Sequence, residues 1–277
     1  MLKKRIISAL WIIPTLIAAI WFEWPLPWFT LYIAIWGAMA VLEFYRLISA
    51  FRVPPLTLFG VVWTLLFIAG RDAQLLSILG PKFNIDLLVP FLLTSAVVLP
   101  MVWLLLRIKK EETFASWAWT VAGILYVGWL LGYLSALRGM EDGRNWVFFT
   151  LFVTFASDSM AYFIGSAFGK QKLSPDISPG KTWEGAIGGV IGAAVFSLLF
   201  VLPTPLNLPM SWWHAVILGI VVSIFGQIGD LAESLFKRNV GVKDSSGVIP
   251  GHGGFLDRID SIVFAGVVVY YYVVWVM

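Results

Sequence analysis

The sequence predicts an all-α, polytopic integral membrane protein of about nine transmembrane helices with its N-terminus in the cytoplasm. Three observations carry that prediction. First, 60% of the 277 residues are hydrophobic, 16% are aromatic and only 13% are charged, more apolar surface than a soluble domain of this length can bury. Second, the apolar residues gather in runs of the length, about 20 residues, that a helix needs to cross a bilayer. In such runs every backbone polar group must be paired within the segment, which a helix achieves. Third, Lys and Arg are divided unevenly between the intervening loops, as topology requires.

The candidate spans lie near residues 6–22, 26–42, 55–70, 87–106, 114–137, 146–168, 183–202, 211–236 and 261–277. The first follows Lys3, Lys4 and Arg5 in the manner of a signal peptide, but no small-x-small cleavage site precedes Glu23, so it reads as a retained helix. The third is short, and the eighth ends in polar residues. With the N-terminus inside, the cytoplasmic segments hold Lys3, Lys4, Arg5, Arg46, Arg52, Arg107, Lys109, Lys110, Lys170, Lys172, Lys181, Lys237, Arg238, Lys243 and Arg258, 15 of the 19 basic residues. The outer loops keep Arg71, Lys82, Arg138 and Arg144. One missing helix in the middle would invert every later loop and destroy this bias. Trp-rich stretches at 21–28 and 211–213 suit an outer aromatic belt. Small residues in "GAIGGVIGAA", 185–194, suit close helix packing. The whole chain, 1–277, reads as one membrane-embedded unit. Spans one to five fall within 1–145, and the polar loops 169–182 and 237–260 fall within 146–277.

Several function classes drop out at this stage. The chain has no cysteine, which excludes disulfides, thiolate metal sites and cysteine nucleophiles. A pI of about 9.1 accompanies a net charge of only +3, and no basic stripe interleaves with aromatics, so nucleic acid is not an expected partner.

Four acids, Asp158, Glu184, Asp230 and Glu233, fall within or at the edge of apolar segments. A charge at bilayer depth costs at least about 2.5–3.5 kcal/mol, so each calls for a polar partner. In "GQIGDLAESLFKR", 226–238, the residues Gln227, Asp230, Ser234 and Lys237 recur at helical steps and share a face, flanked by Glu233 and Arg238. A solvated helix end stitched by ion pairs is the alternative reading. The next loop favours a site, because "LDRID" places Asp257 and Asp260 one turn apart at the start of the last span. Carboxylates converging from two antiparallel neighbours repel unless a cation lies between them. Oxygen ligands without thiolate favour magnesium over zinc, and magnesium typically shares its coordination with phosphate oxygens.

The surrounding residues agree with phosphate chemistry. Lys237, Arg238, Lys243 and Arg258 lie close in sequence to the acids and suit phosphate oxygens. Gly251, Gly253 and Gly254 around His252 allow main-chain N–H groups to approach an anion, although each feature alone is commonly just a turn. The other polar loop, "GKQKLSPDISPGKTWEG" at 169–185, contains Gly-Lys-Thr, but Pro175 stands where a Walker loop needs glycine and no strand precedes it. Ser178 and Pro179 are expected to start a helix whose N–H groups, with Lys181, meet an anion. Lys170, Lys172 and Lys181 alternatively bind anionic lipid heads. Asp158, on the preceding span, is expected to add a buried carboxylate near the same side.

The run "SLFKRNVGVKDSSGVIPGHGGFLDRID", 234–260, resembles the signature of the phosphatidate cytidylyltransferase family, the CDP-diacylglycerol synthases. "KLSPDISPGKTWEG" at 172–185 and "GDLAES" at 229–234 are similar to further family segments, so the detailed match covers roughly 154–261. Around Asp158 the chain departs from the family's small residues, with Ala156, Ser157 and Met160. The resemblance implies a bacterial inner-membrane enzyme, its site facing the cytoplasm, that joins CTP and phosphatidic acid to give CDP-diacylglycerol and pyrophosphate. It implies Mg2+ as cofactor, with K+ proposed beside it in the family, and dimers occur there, so a second cation and a homodimer fall within what the resemblance implies. By position, Asp230 and Asp257 resemble the metal carboxylates, with Asp260 close by. Lys237 and Arg238 join those three as expected catalytic residues. Lys170, Lys181, Glu184, Ser234, Lys243, Asp244, His252, Gly253, Gly254 and Arg258 are the expected substrate-binding set. The rival readings are a CTP-dependent enzyme acting on another lipid phosphate and an ion-coupled transporter; the transporter leaves the dense charged loop unexplained.

Overall fold

The structure, a computed structural model, describes residues 2–51, 53–78, 84–106 and 113–277, with side chains from Ser8 onward and excepting Ile85. Of the basic residues used to orient the chain, Arg52, Lys82, Arg107, Lys109, Lys110 and the side chains of Lys3, Lys4 and Arg5 lie outside the described residues.

The chain is helical almost throughout. Its helices are α1 Leu2–Trp21, α2 Trp28–Ser49, α3 Thr57–Ala69, α4 Ala73–Ser77, α5 Leu88–Leu105, α6 Thr113–Gly123, α7 Leu130–Arg138, α8 Gly143–Phe168, α9 Trp183–Ser197, α10 Trp212–Val240 and α11 Leu256–Val276. A π-helical stretch, Ile124–Trp129, joins α6 to α7 into one rod. Among the described residues seven helical segments are long and apolar enough to cross a membrane, and two shorter apolar helices, Ser8–Trp21 and Thr57–Ala69, accompany them. Each coincides with one of the nine predicted segments. Large apolar side chains such as Leu58, Phe91 and Ile35 stay more than half exposed, an exterior suited to hydrocarbon rather than water. The protein is an integral membrane protein.

Three boundaries differ from the sequence expectation. Helix α2 continues to Ser49 and so takes in Glu43. Helix α10 continues to Val240 because nothing breaks it before Gly241, whose φ of +78° and N–H bonds to the carbonyls of Arg238 and Lys237 close the end. Helix α11 starts at Leu256, before the predicted 261, so Asp257 and Asp260 both belong to it. The all-α expectation also needs correcting over 172–182. Lys172–Ser174 (β1) and Ser178–Thr182 (β2) form an antiparallel hairpin with Lys172 opposite Thr182. Ser178 and Pro179 therefore do not start a helix. Thr182 does, because its Oγ1 accepts from Gly185 N at 3.1 Å.

Two compact units make up the chain, Met1–Gly139 with Asp244–Arg258, and Met140–Lys243 with Ile259–Met277. In the first unit the buried Tyr45 ring of α2 fills the space that side chains at Gly60 of α3 and Gly123 of α6 would need, and its hydroxyl donates to the Thr120 carbonyl at 2.7 Å. Arg138, nine-tenths buried, pairs with Glu23 and donates to the terminal Ile20 carbonyl of α1 at 2.9 Å. In the second unit α8 and α9 pack with almost no separation. A Cβ at Gly188 or Gly192 would strike Ile164 or Met160, which is the packing use that small residues at 185–194 suggested. Helix α10 joins both: the Ser157 hydroxyl of α8 meets that of Ser223 at 2.6 Å, and Gln227 Nε2 donates to the Ala186 carbonyl of α9 at 3.2 Å.

The Tyr45 lock predicts an order of stabilities. Gly123→Ala is expected to cost about 1–3 kcal/mol by overpacking, whereas Tyr45→Phe loses only one hydrogen bond, about 1 kcal/mol. Thermal unfolding of the purified protein in detergent should rank the midpoints wild type, then Tyr45→Phe, then Gly123→Ala.

Candidate active site

In the second unit the polar end of α10 is organised around Asp230. A Cβ at Gly229 would run into the Asp260 carbonyl and the Phe264 ring, so glycine there lets α10 and α11 touch backbone to backbone. The neighbouring carboxylates of Asp230 and Asp260 lie within electrostatic reach of one another, as do those of Asp158 and Asp260. Asp230 pairs with Lys181 at 2.8 Å and accepts from the Ser234 hydroxyl at 3.3 Å. Lys237 pairs with Glu233 one turn earlier and also bears electrostatically on Asp260. Lys181, Asp230, Ser234, Lys237 and Asp260 are thus brought together. Asp158 joins them through charge, but it is exposed rather than buried.

The hairpin delivers Lys181 to this cluster from a strand, not from a helix end. Its base is closed by Glu184, whose carboxylate accepts from the N–H groups of Lys170 at 3.1 Å and Gln171 at 3.3 Å. Glu184 therefore shapes the loop. Arg238 ties the hairpin tip to the end of α10, donating to the carbonyls of Ile177 and Val242 at 3.1 Å. Lys170 and Lys243 are exposed.

In the first unit the glycine-rich loop is built around Asp257. Both Asp257 oxygens accept from Ser245 N, at 3.0 and 3.2 Å, and Oδ2 also accepts from Gly254 N at 2.8 Å and Ser245 Oγ at 2.9 Å. Reaching back three residues to an N–H is the capping geometry that starts α11 here. Gly253 has a φ of +82°, a conformation side chains resist, and its carbonyl accepts from Ile249 N at 2.9 Å. His252 Nδ1 lies 2.7 Å from Ser8 Oγ of α1. Asp244 and Arg258 are exposed.

Sequence reasoning missed Glu43. This acid of α2 is 1% exposed and accepts from Ser246 Oγ at 2.6 Å, Ser245 Oγ at 2.9 Å and Leu256 N at 2.9 Å. The available signal was a carboxylate directly following the apolar run at 26–42, the same signal that singled out Asp158 and Asp230. Ser8, Ser245 and Ser246 gave no comparable signal.

The donor chemistry suits magnesium. Among the described residues no three His, Asp or Glu side chains are grouped to hold a metal ion by themselves. Magnesium does not need such a cage, since one or two carboxylates with water and substrate phosphates commonly hold it. Asp230 and Asp260, brought together by Gly229, offer two carboxylates of that kind.

Known proteins bear on these motifs directly. The description "Cytidylyltransferase family" belongs to a family model that matches residues 3–276. A phosphatidate cytidylyltransferase of Bacillus subtilis is 34% identical over 238 residues, 85% of each chain. That of Staphylococcus saprophyticus is 40% identical over 156 residues, 56% of this chain and 58% of its own. That of Brucella abortus is 44% identical over 153 residues, 55% and 56% of the two chains. Because the model spans nearly the whole sequence, helices of the first unit as well as the polar loops, the chain belongs to the cytidylyltransferase family.

Proposed function

We propose that the protein transfers a cytidylyl group from CTP to phosphatidic acid, giving CDP-diacylglycerol and pyrophosphate for phospholipid synthesis. The observation that carries this reading is the cluster of Asp230, Asp260, Lys181 and Lys237 in a chain whose relatives bear the name phosphatidate cytidylyltransferase. A phosphate oxygen of phosphatidate attacks the α-phosphorus of CTP, a new P–O bond forms, and the α–β anhydride bond breaks to release pyrophosphate. The nucleophile arrives already ionised, so the protein supplies neither a nucleophile nor a strong base. Alignment and charge neutralisation remain, and these are what preorganised charges provide.

Magnesium, held by Asp230 and Asp260, would neutralise triphosphate charge when bound; a metal role for Asp257 rests on the family resemblance alone. Lys181 and Lys237 add positive charge beside Asp230 and Asp260, and exposed Lys170, Lys243 and Arg258 draw the anionic substrates. A potassium ion and a homodimer rest on the family resemblance alone. The charge distribution supports nine spans with the N-terminus and both polar loops in the cytoplasm. Bacterial relatives support the inner membrane. This placement suits a lipid that stays in its leaflet and a nucleotide that arrives from water.

Purified protein given labelled CTP, phosphatidate and magnesium should move label into lipid. No lipid product above a magnesium-free control would sink the proposal, and product only with a different lipid phosphate would redirect it. Asp230→Asn should lower turnover by about 100-fold or more at saturating substrate, the scale for losing one preorganised charge contact, while the protein still inserts and purifies. A reporter appended after Met277 should read outside the cytoplasm; a cytoplasmic signal would overturn the nine-span topology.

A further inference from the structure

Glu43 lies on α2, about 200 residues in sequence from the loop that supplies the partners its contacts name, Ser245, Ser246 and Leu256. Burying a carboxylate is costly unless donors replace its water. At Glu43 those donors are the Leu256 amide and the Ser246 hydroxyl, with the single Ser245 proton shared between Glu43 and Asp257; all come from residues 245–256, so the favourable state of Glu43 exists only with this loop in place. The fit is close. A Cβ at Gly254 would overlap both Ser245 Oγ and Glu43 Oε2, so the loop backbone is laid directly against the carboxylate.

Ser245 links this anchor to Asp257. Its hydroxyl stands 2.9 Å from Glu43 Oε2 and 2.9 Å from Asp257 Oδ2, while its N–H donates to Asp257. Moving Ser245 therefore moves the donors that set the Asp257 carboxylate. We infer that Glu43 is a positioning residue, one that fixes the 244–258 loop and, through Ser245, orients Asp257 for transfer. The transfer part rests on the function proposed above; the anchoring part does not.

The test uses the full-length protein in detergent, with hydrogen exchange and kinetics measured on the same preparations. Glu43→Gln keeps the shape of the side chain and removes its charge. It should speed exchange in peptides covering 244–256, leave α5 and α9 peptides unchanged, and lower kcat roughly 10-fold to 100-fold, the range for lost supporting contacts. KM for phosphatidate should stay within about twofold, because uniform binding is untouched. Glu43→Asp, which retains the charge, should recover part of kcat. The double variant of Glu43→Gln with Ser245→Ala should be no slower than the worse single variant, since the two act along one path. Unchanged exchange, additive losses, or a lower thermal midpoint with unchanged kcat would each overturn the inference. Should Glu43→Gln not fold, Ser245→Ala and Ser246→Ala must produce the same exchange pattern, and their failure to do so is equally decisive. A wild-type protein that makes no CDP-lipid would instead refute the proposed function, while the exchange data still decide the anchoring.

Discussion

A carboxylate placed among apolar helices has to find its partners within the chain, because lipid offers none. This constraint orders the polar interior. Asp72 accepts from the Thr30 hydroxyl at 2.5 Å and caps α4 through Leu75 N at 2.8 Å. Glu233 takes Lys237, Asp230 takes Lys181, and Glu43 takes a loop. Apart from the Glu233–Lys237 pair, which lies within α10, each pairing fixes one element against another, so the same bonds that make burial tolerable also specify the arrangement. In the second unit the pairings collect at the cytoplasm-facing end that the charge pattern proposes, where a polar reaction has to occur.

Close backbone approach is the complementary device. Without a hydrophobic drive between helices in lipid, association depends on contact area and on polar links. The glycines of α9 against α8 supply contact, and α10 supplies links to both, through Ser223 to Ser157 and through Gln227 to the Ala186 carbonyl. Gly229 does the same for α10 against α11 and sets Asp230 beside Asp260 as a consequence. Packing and site geometry are in this sense one feature, since a side chain at 229 would separate both the helices and the acids.

The nine apolar segments were legible because hydropathy and loop charge need no knowledge of tertiary contacts. The helical phase of Asp230 and Ser234 was legible for the same reason: residues four apart on a helix must share a face. What escaped was partnership across distance. Glu43 directly follows the apolar run at 26–42, where a carboxylate needs no partner if it lies in water, and its donors come from beyond residue 244. The 172–182 hairpin escaped because Ser178-Pro179 looks like a helix start, whereas Thr182 caps α9 and Glu184 holds the Lys170 and Gln171 amides. Asp257 and Asp260 lie one turn apart on one helix. The first is engaged by the loop amides, and the second lies in the charge field of Asp230 and Lys237; equal spacing on a helix did not give them equal surroundings.

Two lysines beside the same acids differ in how readily they can turn to a phosphate. The Lys181–Asp230 pair leaves 25% and 32% of the two side chains exposed. The Lys181 ammonium nitrogen is itself buried, so the water reaches the stem and the acid, and the pair is more shielded than a surface ion pair. The Lys237–Glu233 pair is 11% and 0% exposed. Separating a buried pair costs on the order of 3–5 kcal/mol, because the acid left behind has no water to turn to. Lys237 is therefore held in place within α10 and contributes a fixed field near Asp260, while Lys181, carried on the hairpin, faces an acid that keeps 32% of its side chain exposed and is the less tightly held of the two.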